Sequence, residues 1–119
     1  MNIKKSLKTL LPTLKQRKRY LVFEIVSKTP IKDYKDISEQ IMVKSQEFLG
    51  VLGMAKAGMQ ILPKYNTSLQ RGMIKVNHKH VDELKAALTF IEKLDNKEVI
   101  VKSVGVSGIL KKAEAKYLK

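Results

Sequence analysis

The chain has 119 residues, a formal net charge of +13, 44% hydrophobic residues and no cysteine. That length suits one domain with a core of its own, and the missing cysteines exclude disulfides, thiolate nucleophiles and cysteine-bound zinc. No apolar run is long enough to span a membrane, and the lysine-rich start lacks the apolar centre of a secretory signal, so a cytoplasmic protein is expected.

Residues 1–18 read as a basic N-terminal arm, and residues 19–119 as a single domain. The first twenty residues carry seven basic side chains and no acid. "RYLVFEIVS" (19–27), nearly continuously apolar and rich in β-branched and aromatic residues, predicts a central strand that ends before Pro30. A helix follows, its first turn capped by Asp33 or a neighbour, with Ile37, Ile41, Phe48 and Leu52 on its buried stripe and Gly50 and Gly53 at its end. Two strands are predicted over 55–65 and 71–77, joined by the turn-forming "NTSLQ", with Gly58 marking a bulge and Pro63 an edge. Asn77 caps a second helix over 78–94, its core stripe Val81, Leu84, Leu88 and Ile91. A last strand spans 98–106 and a short basic helix 109–118.

The order β, α, β, β, α, β plus a helix is that of an α+β, ferredoxin-like (RRM-like) sandwich: a four-stranded antiparallel sheet with two helices on one face, the other face open, and a C-terminal basic helix. The third strand, "RGMIKVNH", offers Met73, Lys75 and Asn77 where an RNA-recognition module would place stacking rings. With three phenylalanines, four tyrosines and no tryptophan, the composition favours contacts to a phosphate backbone over base stacking.

The C-terminal residues 102–119 hold five lysines against Glu114, so both ends of the chain seek a polyanion while the middle is nearly balanced. A polyphosphate partner accounts for this, since each neutralised phosphate releases counterions. A membrane surface fits less well, because the basic leader has no bulky aromatic face. In "VGVSGILKK" (104–112) the glycine follows the serine directly, which excludes the Gly-x-Ser-x-Gly nucleophile turn. Its alternatives are a tight turn with Ser107 or Gly108 capping the helix, or unpaired helix-start amides that face an anion beside Lys111 and Lys112. His78 and His80 stand two apart on a helix start with no third ligand near, and the carboxylates lie on solvent faces; no catalytic or metal-binding constellation emerges.

Four stretches, "LPTLKQRKRY" (11–20), "FLGVLGMAKA" (48–57), "RGMIKVNHKHVDELKAAL" (71–88) and "VGVSGILKK" (104–112), together make the chain resemble the archaeal ribonuclease P protein component 2 family, of Pop5/Rpp14 type, which is shared with ribonuclease MRP. Two positions depart from the family pattern: Leu11-Pro12 replaces a double proline, and Ile109 replaces a threonine. The resemblance implies a subunit with no catalytic residues of its own, in a ribonucleoprotein whose RNA, with bound Mg2+, removes 5′ leaders from precursor tRNA. It implies as partners the ribonuclease P RNA, protein component 3, the other ribonuclease P proteins, a second copy of the chain and, for the whole complex, the precursor tRNA. No cofactor is expected on the protein itself. The expected RNA-binding residues are Lys15, Arg17, Lys18, Arg19, Lys102, Ser107, Gly108, Lys111 and Lys112. Phe48, Leu49, Leu52 and Met54 are the expected protein-contact patch. A ribosomal or other basic RNA-binding adaptor is the alternative.

Overall fold

The structure, a computed structural model, describes residues 17–119. Strand β1 (Lys18–Ser27) leads into the long helix α1 (Tyr34–Ala57), followed by the hairpin β2 (Gln60–Asn66) and β3 (Arg71–Asn77). A 3-10 turn at His78–His80 opens helix α2 (Val81–Thr89). Then come β4 (Lys93–Leu94), β5 (Lys97–Ser107) and helix α3 (Leu110–Tyr117). The sheet is antiparallel in the order β2-β3-β1-β5-β4.

β1 takes the central place its composition predicts, and the sheet has five strands rather than four. The expected second helix ends at Thr89, and Lys93–Leu94 pairs back on Lys97–Glu98 as a two-residue edge strand. Asp95 and Asn96 make that reversal with positive φ, a conformation that asparagine and aspartate tolerate better than other side chains. Where β1 meets β5 the register slips between Val22 and Phe23, so that Val104 is an extra residue and β5 bulges.

Both predicted caps form. Asp33 Oδ1 accepts from the Lys35 and Asp36 amides at 3.1 and 3.3 Å, and Asn77 Oδ1 accepts from the Lys79 amide at 3.0 Å. α1 does not stop at Gly50 and Gly53. Gly50 leaves helical geometry (φ 74°, ψ 175°), the chain resumes its helix beyond that kink, and the end comes at Gly58, whose left-handed φ of 55° lets its N–H reach Met54 O. Gly58 is therefore a helix stop rather than a strand bulge, and β2 starts later than expected.

One face of the sheet is the main core: Leu21, Phe23 and Ile25 of β1, Ile74 and Val76 of β3 and Val99 and Val101 of β5 pack on Ile37 and Ile41 of α1 and Leu84 and Leu88 of α2. The stripe predicted on α1 is corrected in its second half. Ser45 and Leu49 turn toward the core, while Phe48 and Leu52 are 47% and 67% exposed, because α2 ends early and leaves that side of α1 uncovered. The Ser45 hydroxyl is buried with no hydrogen-bond partner among the described residues. Replacing Ser45 by alanine removes that unpaired group and raises helix propensity, so thermal unfolding should show a gain of about 1 kcal/mol; a loss of stability would mean that the hydroxyl has a partner.

The opposite face is not left open. α3 lies on it, with Ala113 and Leu118 packed over Val22 and Met73. Polar contacts hold α3 down: Asn66 Nδ2 donates to Leu118 O (2.7 Å), Arg71 donates to Tyr117 O (3.0 Å) and Lys64 pairs with Glu114 (2.8 Å). No helix among the described residues is long and apolar enough to cross a membrane.

Candidate nucleic-acid interface

Antiparallel pairing sets the start of β1, the end of β3 and the end of β5 at one end of the sheet: Lys18 lies opposite Asn77, and Tyr20 opposite Ser107. The expected cations from the two ends of the chain meet there. A side chain built on Gly108 would come 3.4 Å from an Arg19 guanidinium nitrogen, so Arg19 stands directly over the Ser107–Gly108 loop. Its guanidinium also donates to Lys18 O at 3.0 Å, which fixes its direction. Lys111 and Lys112 follow on the exposed first turn of α3. Residues far apart in the chain thus form one cationic surface.

The remaining expected contacts divide. Arg17 is exposed, and its carbonyl accepts the His78 N–H at 2.9 Å, which ties the end of the arm to β3. The Lys18 ammonium lies against Gly58 at the end of α1, where it also meets the negative end of the helix dipole. Lys102 is exposed but drawn to a partner: its ammonium is 3.6 Å from Glu24, which also takes a 2.8 Å bond from Arg71. That Arg71 bond, with the charges of Arg71 and Lys102, holds the Glu24 carboxyl below the usual carboxylate range against the opposing effect of burial. Lys15 lies outside the described residues.

The loop itself differs from the expected cap. Ile109, not Ser107 or Gly108, is the N-cap of α3, and it makes no side-chain bond to the helix. The Ser107 hydroxyl instead closes a small turn, 3.1 Å from both the amide and the carbonyl of Ile109. The opening amides of α3 consequently have no side-chain cap and face outward with the positive end of the helix dipole. Neither Gly105 nor Gly108 has positive φ. Gly105 is needed for space, since a Cβ there would fall 2.1 Å from the Tyr117 ring. This contact, which seats α3, escapes a reading by motif because its two partners are joined only by the packing of α3 on the sheet.

Of the expected protein-contact residues, Leu49 packs on the core and Met54 is half-buried, while Phe48 and Leu52 are exposed. The structure adds Phe90, 57% exposed, whose ring centroid is 5.5 Å from that of Phe48. Lys44, Glu47, Glu92 and Lys93 rim the cleft between α1 and α2. Among the described residues no cluster of three or more His, Cys, Asp or Glu side chains converges.

A profile of the Rpp14/Pop5 family matches residues 19–118. The ribonuclease P protein component 2 of Thermococcus kodakarensis is 35% identical over 111 residues, covering 93% of this chain and 91% of that protein. That of Pyrococcus furiosus is 36% identical over 112 residues, with the same coverage of each. In fold, the chain is similar to a chain in the cryo-EM structure of yeast ribonuclease MRP, with a TM-score of 0.59 and 14% identity over 78% of this chain and 75% of the other.

Proposed function

The chain belongs to the Rpp14/Pop5 family and is a protein subunit of ribonuclease P, and from that premise we propose that the cationic end of its ferredoxin-like sheet grips the RNA of the particle. Arg19, Lys111 and Lys112 neutralise phosphates, and the uncapped start of α3 fixes where one phosphate docks. Arg17 and Lys18 extend the same surface, while Lys102 contributes only as far as it leaves Glu24; Lys15 is assigned to the RNA on its charge alone. The protein stabilises the catalytic domain of the RNA, and the RNA, with its own Mg2+, removes the 5′ leader from precursor tRNA in the cytoplasm. The observation that carries this reading is Arg19, from the first strand, standing over Gly108, from the last.

The Phe48–Phe90 cleft faces away from the core and has the character of a protein-docking patch, an apolar centre with a charged rim. We assign it to protein component 3, with other ribonuclease P proteins or a second copy as the competing occupants. Reconstitution tests the function as a whole. Leader cleavage by ribonuclease P RNA with component 3 should rise when this chain is added and fall back when Arg19, Lys111 and Lys112 are alanine. Cleavage indifferent to the chain, or cleavage by the chain alone, overturns the reading.

A further inference from the structure

Cross-strand register places four residues in one row at the cationic end: Gln60 opposite Lys75, Lys75 opposite Tyr20, and Tyr20 opposite Ser107. The row lies on the sheet face that carries α3. Side chains alternate between faces along a strand, and Met73, two residues before Lys75, and Val22, two after Tyr20, both lie under α3. Tyr20 packs against this smaller cluster together with Leu110, the first residue of α3, so its ring is braced on one side. The ring stays half-exposed, as does Lys75.

Two tyrosines lie on this face: Tyr117 is seated over Gly105, while Tyr20 keeps a half-exposed ring whose hydroxyl has no protein partner among the described residues. The charges leave Lys75 similarly available. The acids of this face, Glu24 and Glu114, are already paired with Arg71, Lys102 and Lys64, and among the described residues Lys75 takes part in no ion pair. An aromatic ring on the central strand thus stands between a free ammonium on one neighbouring strand and the phosphate-seeking loop on the other. Lys75 and Ser107 are two strand spacings apart, about 10 Å.

We propose that Tyr20 and Lys75 form a nucleotide-binding surface, in which the Tyr20 ring stacks on an unpaired base of the RNA and Lys75 neutralises the adjoining phosphate. This rests on the RNA-binding reading above and adds to it a class of target: a single-stranded nucleotide beside the docked backbone, rather than a duplex alone. Seven aromatic residues without tryptophan argue against a platform of several rings, but one ring in the right place accepts one base.

Binding of ribonuclease P RNA to the purified full chain, titrated across salt concentration, tests the proposal. Tyr20→Leu should weaken binding about 5- to 150-fold, the range for one stacked base, without changing the salt slope, while Tyr20→Phe binds like the original chain. Lys75→Gln should lower the slope by about 0.7 to 0.9, the share of one phosphate. Thermal unfolding of each variant identifies loss of fold, and ultraviolet cross-linking of the unaltered chain supplies an independent reading, with RNA attached at Tyr20. Unchanged affinity of folded Tyr20→Leu, equal losses for Phe and Leu, or cross-links that avoid Tyr20 overturn the stacking surface. If the Arg19, Lys111 and Lys112 variant also binds normally, the failure belongs to the RNA-binding reading as a whole.

Discussion

Replacing Arg19, Lys111 and Lys112 together by alanine is expected to weaken binding of ribonuclease P RNA roughly tenfold or more near physiological salt, and to lower the slope of log affinity against log salt by about two. The three cations converge on one loop although the chain places them some ninety positions apart, so they should act on one stretch of RNA backbone. Their removal leaves folding intact: Lys111 and Lys112 are exposed, and the only hydrogen bond the Arg19 side chain makes among the described residues is to the neighbouring carbonyl. Lys18 is omitted from this variant because its ammonium also lies against the end of α1 at Gly58, and its loss would mix stability with binding. A salt slope equal to that of the unaltered chain sinks the assignment of this end to RNA.

Gly105→Ala is expected to be the most damaging of the small substitutions. The added carbon would sit 2.1 Å from Cζ and 2.2 Å from Oη of Tyr117, inside any allowed contact, so either Tyr117 leaves its seat or β5 shifts. Forced overpacking of this kind costs about 1–3 kcal/mol, which for a domain of this size lowers the melting temperature by roughly 5–20 °C. RNA binding should fall as well, since Tyr117 anchors the helix that presents Lys111 and Lys112. In a Tyr117→Ala background the same glycine substitution should cost far less. Equal costs in both backgrounds would show that the ring is not the obstacle.

The elements read from local patterns were those that local physics decides. β1 was legible because a strand buried on both faces needs an unbroken apolar run, and the Asp33 and Asn77 caps because a side-chain acceptor must meet the first amides. What the pattern misplaced depends on distant neighbours. Phe48 and Leu52 fit a helical stripe perfectly well, but α2 ends at Thr89 and nothing remains to cover them. Gly50 and Gly53 look like stops, yet α1 carries on to Ala57, where the alanine joins the core. β4 has only two residues and leaves no periodic trace. The cations of the interface were legible as two charged ends. That they form one surface was not, since this follows from β1 lying between β3 and β5.

The strand order also governs when the molecule becomes functional. β1 is synthesised well before β5, yet β5 is one of its two neighbours in the sheet. Until residue 107 has left the ribosome, β1 has a partner on one side only, and its long-range closure makes this a slow-folding topology. Arg19 meets Gly108 only after that closure. The end proposed to grip RNA is therefore assembled last, and chains that lack β5 should bind the nucleic acid more weakly than finished ones.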